Sequence, residues 1–401
     1  MSLNHNAMET LERELSPDVL GRVDRAVDRI VEAKSRGGKV AVVTGSGPNL
    51  HEGVTTLIAE LIRVGIVDGV TTSSAVVAHE MAGVLDRVRR VDGKSLGQPD
   101  SALPHGGHFE LSLVDDEVLN AIRAEMPLDE ALIEKLRNAP GEEIIKAAGN
   151  LGYPLGLRTE KLALEIEALA RMRGVPFEEV AGWGGDERTM IGIGARKGVP
   201  VLVTIPQLVG GGVVGLAIGD SISISERASR VAKILAGADV IVESAVVLTQ
   251  EIHDGPFETY TGHGLWSFWQ GHPTYSLKGK TLVRIDLDPT LERVWEIEND
   301  KGAVQEAIDK GLPKTKTFKV PFRMEMSGFA RLEGSIPIVG DIGAIWPVLA
   351  RRVATRMDLD LGFLSYPQQT EQGKKMRDWI ADTIQPLSRT KMLEAIGGLA
   401  G

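Results

Sequence analysis

Val40 to Glu80 reads VAVVTGSGPNLHEGVTTLIAELIRVGIVDGVTTSSAVVAHE. An apolar run, VAVVT, ends in a glycine turn; an amphipathic stretch follows, then a second apolar run, GVTT, and a polar turn carrying His79 and Glu80. Short apolar runs bounded by glycine read as strands buried on both faces, and the helix between them places the two strands parallel. Beyond this unit the chain keeps alternating. A helix over 8–36 leads into the first strand, VPVLVTI near 199–205 reads as another buried strand, SISERASRVAKILAGAD as a helix, and VIVESAVVL and LVRIDLD as further strands. The pattern predicts an α/β fold, a mostly parallel sheet with helices on both faces. A single domain spanning 1–401, with a helical extension over 1–38, is expected because no linker or repeat interrupts the chain.

Other stretches carry weaker signals. MAGVLDRVRRVDG reads as a helix, SLGQPDSALPHGGHFE as a loop, 115–148 as helical and acidic, and AGWGGDERT as a glycine-rich loop. IPIVGDIGAIWPVLARRVATRM reads as a turn feeding a last helix.

Composition excludes several function classes. The formal net charge is -10, with no block of Lys or Arg, which argues against nucleic acid and anionic membrane as partners. Cysteine is absent, so disulfides, thiolate catalysis and cysteine metal sites fall away. No apolar run approaches a membrane span. The polar opening, MSLNHNAMETLERELS, lacks a signal core, and a cytoplasmic protein is expected.

The chemistry-bearing residues cluster at strand ends. Gly45, Ser46, Gly47 and Asn49 follow the first strand, where backbone amides meet a phosphate or, on the plainer reading, where glycines merely turn and Asn49 caps a helix. Thr71, Thr72 and Ser73 end the second strand, and Gly210, Gly211 and Gly212 follow a third; these turns are where open parallel sheets hold ligands. Apart from His5, every histidine falls in such turns. Farther on, Glu251, His253, Asp254 and Glu258 stand beside Trp266 and Trp269, a combination suited to an organic cation through charge and cation–π attraction. Metal is not expected: His105-x-x-His108 permits zinc, but no H-E-x-x-H or comparable ligand pair occurs. No G-x-S-x-G elbow supports a serine hydrolase.

Two families share parts of this pattern. GSGPNLHEGVTTLIAELIRVGIVDGVTTSSAVVAHE, and later GGGVV and GADVIVESAVVLTQEIHDG, resemble deoxyhypusine synthase in order and chemistry. The resemblance implies a Rossmann-like sheet, NAD as cofactor, a homotetramer with sites between subunits, and oxidation of a polyamine to an imine that an active-site lysine captures. It also implies that Ser46, Asn49, Thr71, Thr72, Gly211 and Gly212 contact NAD, with Glu80, Glu251 and Asp254 lining the adjoining cleft. Where that family has paired histidines this chain has Gly215 and Leu216, and the lysines nearest the family's position are Lys278 and Lys280. The chain is also similar to the archaeal-type ornithine cyclodeaminases of the LOR/SDH group, in an A-x-x-H with an acid, SLG at 95–97, GGH at 106–108 and the D-x-x-P of VRIDLDP. That group likewise uses NAD to oxidise an amine and returns the hydride.

Both resemblances imply an NAD-dependent enzyme, a transferase or lyase, acting on a C–N bond of a small amine or amino acid. His79 or His253 is the candidate base, Lys278 or Lys280 the candidate acceptor, and Glu80, Glu251, Asp254, Glu258, Trp266 and Trp269 the substrate site. A homo-oligomer, tetramer or dimer, is expected. A non-catalytic NAD sensor, a metal hydrolase and a purely structural oligomer remain as alternatives.

Overall fold

The computed structural model describes residues 5–45, 47–99, 101, 106–147, 149–244, 277, 279–321, 329–330 and 332–398. The leading helical stretch divides at Ser16-Pro17 into α1 (His5–Glu14) and α2 (Pro17–Ser35). The Ser16 hydroxyl accepts from the Val19 N–H, and proline fits the first turn because its missing N–H has no partner to lose there. Next come β1 (Val40–Thr44), α3 (Gly47–His51), α4 (Val54–Arg63), β2 (Gly69–Thr72) and α5 (Ser74–Met81). An excursion follows through β3 (Asp86–Asp92), β4 (His108–Ser112), α6 (Asp116–Glu125), α7 (Glu130–Asn138) and β5 (Gly141–Lys146). Helices α8 (Leu155–Arg173), α9 (Phe177–Gly184) and α10 (Met190–Lys197) lead to β6 (Val201–Val203). The chain continues with α11 (Val213–Ser221), α12 (Ile224–Gly237), β7 (Val240–Ser244), β8 (Thr281–Asp286) and β9 (Ser335–Val339).

Six strands form one sheet in the order β6-β2-β1-β7-β8-β9, and every neighbouring pair is parallel. The chain starts at the centre, runs outward to β6, then returns past β1 to build the other half. With the excursion set aside this is the 3-2-1-4-5-6 order of a Rossmann sheet, whose crevice opens where the order reverses, beyond the carboxyl ends of β1 and β7. One face is covered by α2, α4, α10 and the helix Ile342–Arg356; the other by α12 and the helix Thr290–Asn299.

The structure corrects several local readings. MAGVLDRVRRVDG contains β3 rather than a helix: Asp86, Val88 and Val91 are buried while the intervening arginines reach outward. It pairs antiparallel with β4 and β5, elements that arise from the predicted loop and from the end of the predicted helical stretch. Long arginine stems allow this strand the spacing of an amphipathic helix, and only cross-strand pairing separates the two. AGWGGDERT closes α9, and Thr189 then caps α10. IPIV is strand β9, and the polar turn holding His79 and Glu80 is helix α5.

The short edge strand β6 is closed by a buried ion pair. Glu178 on α9 accepts the Val203 N–H at 2.7 Å, and Arg227 on α12 donates to the Val203 carbonyl at 2.9 Å. Their charged groups meet at 2.5 Å and neither side chain is exposed. The pair stands where a further strand would supply the same donor and acceptor, and it ties both helical layers to the sheet edge.

Candidate functional site

Beyond the carboxyl ends of β1 and β2 lies a cleft of about 650 Å³. One wall is the β1–α3 turn at Gly47 and Pro48; the base is α5, with Ala75, Ala78 and His79. Gly210, Gly211 and Gly212 form a second wall, and 149–153 with the first turns of α8 close the third.

Each wall is held by a specific bond. The Ser74 hydroxyl accepts from the Gly211 N–H and donates to the Gln207 carbonyl, both at 2.8 Å, so the glycine turn is pinned to the start of α5. A Cβ on Gly211 would lie 2.7 Å from the Ser74 carbonyl group, which makes this a packing glycine. Gly47, Gly210 and Gly212 have open space where a Cβ would be. Gly212 also has φ +59°, a left-handed backbone that glycine adopts without cost. On the third wall the buried Asp86 carboxylate accepts from the Gly152 N–H at 2.7 Å and the Ser112 hydroxyl at 2.9 Å. Burial raises its pKa to about 6. Thus the excursion sheet fixes the loop that faces the glycine turns. His51 Nε2 accepts from the Ala147 N–H at 3.3 Å, tying α3 to the same wall.

His79 lines the cleft, is 5% exposed and has no hydrogen-bond partner at Nδ1 among the described residues. Burial lowers its pKa to about 4, with the charges of His51 and Lys146 acting in the same direction. The ring is therefore neutral near pH 7, with Nδ1 left to accept a hydrogen bond. Glu160, exposed on α8, is then the sole formal charge among the described lining residues.

The remaining predicted residues are distributed unevenly. Gly45 is buried behind the β1 turn. Asn49 is buried and its Oδ1 accepts from the Ser244 hydroxyl at 2.6 Å, which itself accepts from Trp346 Nε1 at 2.7 Å; Asn49 Nδ2 has no partner among the described residues. Thr71 and Thr72 are buried on β2 behind the cleft lining, their hydroxyls without a partner among the described residues, and Ser73 caps α5 through the Val76 N–H. Glu80 faces away from the cleft. Its two carboxylate oxygens accept the Met190 and Ile191 N–H groups at 2.8 and 3.0 Å, at the amino end of α10. Burial raises its pKa to about 7.

Lys280 is also placed elsewhere. It precedes β8, at the amino edge of the sheet, and its Nζ donates to the Ala236 and Ala238 carbonyls at 2.6 and 2.5 Å at the end of α12. Ser46, Glu251, His253, Asp254, Glu258, Trp266, Trp269 and Lys278 lie outside the described residues. Glu160 was not singled out from sequence, since it is one of several charges on an amphipathic helix and nothing local sets it apart. Among the described residues, no group of three His, Asp or Glu side chains gathers as a metal site needs. No helix there is long and apolar enough to cross a membrane.

No family model and no curated protein matches the chain. Solved structures do match. A conserved LOR/SDH protein from Methanococcus maripaludis S2 is 12% identical over 86% of this chain and 70% of its own, with a TM-score of 0.41. ArgZ, an arginine dihydrolase from the ornithine–ammonia cycle in cyanobacteria, is 12% identical, with 84% of this chain and 33% of that one covered and a TM-score of 0.39. AgrE, in its ternary complex with ornithine and NAD+, is 15% identical, with 85% and 34% covered and a TM-score of 0.38. The chain spans about a third of the length of ArgZ and AgrE.

Proposed function

We propose that the protein is an NAD-dependent enzyme that acts on a C–N bond of a basic amino acid or related amine. One observation carries the reading. In a Rossmann-ordered sheet, glycine turns with open faces, a neutral buried histidine and, among the described residues, a single carboxylate line the same cleft at the carboxyl ends of the first two strands.

The described wall fits the cofactor. It holds no side-chain cation, so a diphosphate would be met by backbone N–H groups at Gly47 and Gly210, whose faces are unobstructed, with Gly212, its own N–H given to the Val209 carbonyl, leaving room for close approach. The buried amide of Asn49 and hydroxyls of Thr71 and Thr72 lie behind this wall with polar atoms unpartnered among the described residues. Bound NAD would supply the hydride acceptor. The chain's own residues do the rest: Glu160 attracts a cationic substrate, the neutral His79 ring accepts a hydrogen bond from the substrate's amine N–H and holds that group in place, and burial around His79 excludes water. With Lys280 at the opposite sheet edge, the proposal favours elimination or cyclisation of the imine over transfer to that lysine.

Leu157, Leu164, Val209 and Leu216 are exposed on and beside α8 and α11, close to the cleft mouth. They support a homo-oligomer with the cleft near a subunit boundary; light scattering giving only monomer would remove that part of the reading. The principal test is calorimetric titration with NAD+, followed by single-turnover assays with ornithine, arginine, lysine and spermidine. Saturable NAD+ binding with nicotinamide reduction or a deaminated product is the expected result. Binding without any turnover would favour the sensor reading, and absence of binding would refute both.

A further inference from the structure

A second cavity, of about 520 Å³, lies at the other end of the molecule, along the free edge of β6 and between α9 and α10 on one side and α12 on the other. Its chemistry follows from strand register. Val70 N–H bonds to the Pro200 carbonyl at 2.9 Å and Thr204 N–H to the Thr72 carbonyl at 3.2 Å, so residues 200, 202 and 204 turn their polar groups toward β2. Alternation directs the N–H and carbonyl of Val201 and Val203 outward. Those of Val203 are taken by Glu178 and Arg227. Val201 lines the cavity, one step short of that plug, and Pro200 before it has no N–H to offer. Among the described residues the edge therefore presents a single donor–acceptor pair, enough for one amide and too little for a running strand.

The charges around the cavity are unequal in availability. Asp68 is held by Lys34 and the Val40 N–H, Glu178 by Arg227, and Arg230 by Glu226. Lys39, Lys233 and Glu179 are exposed lining residues whose side chains have no ion-pair partner among the described residues, so the available charge is net positive. Trp183, Ile191 and Ile234 supply apolar walls.

We propose that this cavity is a second ligand site, for a small organic acid carrying one secondary amide and an apolar body, of the N-acyl amino acid kind. The ligand's amide pairs with Val201, its apolar group lies against Trp183, and its carboxylate faces Lys39 and Lys233. The site is separate from the cleft that holds the proposed NAD chemistry and does not depend on that reading.

N-acetyl-L-leucine is the probe, followed by amide and indole NMR shifts of the full chain. Saturable shifts at the Val201 amide and Trp183 indole are expected, unchanged by added NAD+. N-acetyl-L-leucinamide, which lacks the carboxylate, should bind about tenfold more weakly, and the N-methylated analogue, which lacks the amide donor, about fivefold more weakly. Lys233→Glu, on an exposed side chain, should weaken the acid and leave the carboxamide unaffected. Val201→Pro removes the outward donor without breaking a ladder bond and should reproduce the N-methyl effect; the ligand analogues carry the test should that variant misfold. No saturable shift at Val201, or shifts indifferent to both the carboxylate and the amide hydrogen, would overturn the proposal.

Discussion

His79→Gln should change how stability depends on pH, by an amount the structure sets. Folding lowers the His79 pKa from its usual 6.5 to about 4. Below pH 6.5 the unfolded chain takes up a proton that the folded chain refuses, so stability present above pH 6.5 is lost as pH falls toward 4. At about 1.4 kcal/mol per pH unit the full loss is about 3 kcal/mol, of which about 2 kcal/mol has gone by pH 5. Glu80 and Asp86 act with the opposite sign: their raised pKa values favour the folded state at low pH, and that contribution is lost as pH rises through about 7 and about 6. Both groups remain in the variant, so they cancel in the difference between the two proteins. Urea unfolding of wild type and His79→Gln from pH 8 to pH 5 should show the variant gaining on the wild type by about 2 kcal/mol as pH falls. Stability curves that stay parallel within about 0.5 kcal/mol would refute the placement of a buried neutral ring, since surface substitutions commonly produce no more than that. The same variant should keep NAD+ binding and lose turnover by about tenfold, the scale of a lost positioning hydrogen bond.

Three further outcomes separate packing from chemistry. Gly211→Ala should lower stability by about 1–3 kcal/mol in thermal melts, because its Cβ meets the Ser74 carbonyl group, whereas Gly210→Ala should melt like wild type and weaken NAD+ in calorimetry. Arg227→Met should cost about 3–5 kcal/mol in urea unfolding by leaving the Glu178 carboxylate buried without its cation; a double Glu178→Gln, Arg227→Met variant should recover part of that loss. Lys280→Ala should cost about 1 kcal/mol through the lost bonds to the end of α12, while NAD+ affinity and turnover stay at wild-type level; a large loss of turnover without a change in affinity would restore the lysine to the chemistry.

The sequence by itself determined five of the six strands of the main sheet, IPIV being read as a turn, because a parallel strand covered on both faces is largely apolar, and VAVVT and VPVLV carry that signature. It also determined where ligand-holding turns lie, since glycines after such strands mark the crevice end of the sheet. The sequence could not separate His79 from Glu80. Adjacent helical positions point about 100° apart, and only the packing of α10 against α5 decides that the carboxylate meets the Met190 and Ile191 amides while the imidazole meets the cleft. Lys280 followed an apparent family spacing, yet strand direction sends its position to the amino edge of the sheet, the far end from the glycine turns. Glu160 and Gly152 enter the cleft from an excursion of more than a hundred residues between β2 and β6. No local pattern encodes that approach; it follows from Asp86 holding Gly152 across the second sheet. Tertiary structure thus decided which of the chemically able residues share one space, because burial, strand direction and long-range hydrogen bonds are properties of the whole packed chain.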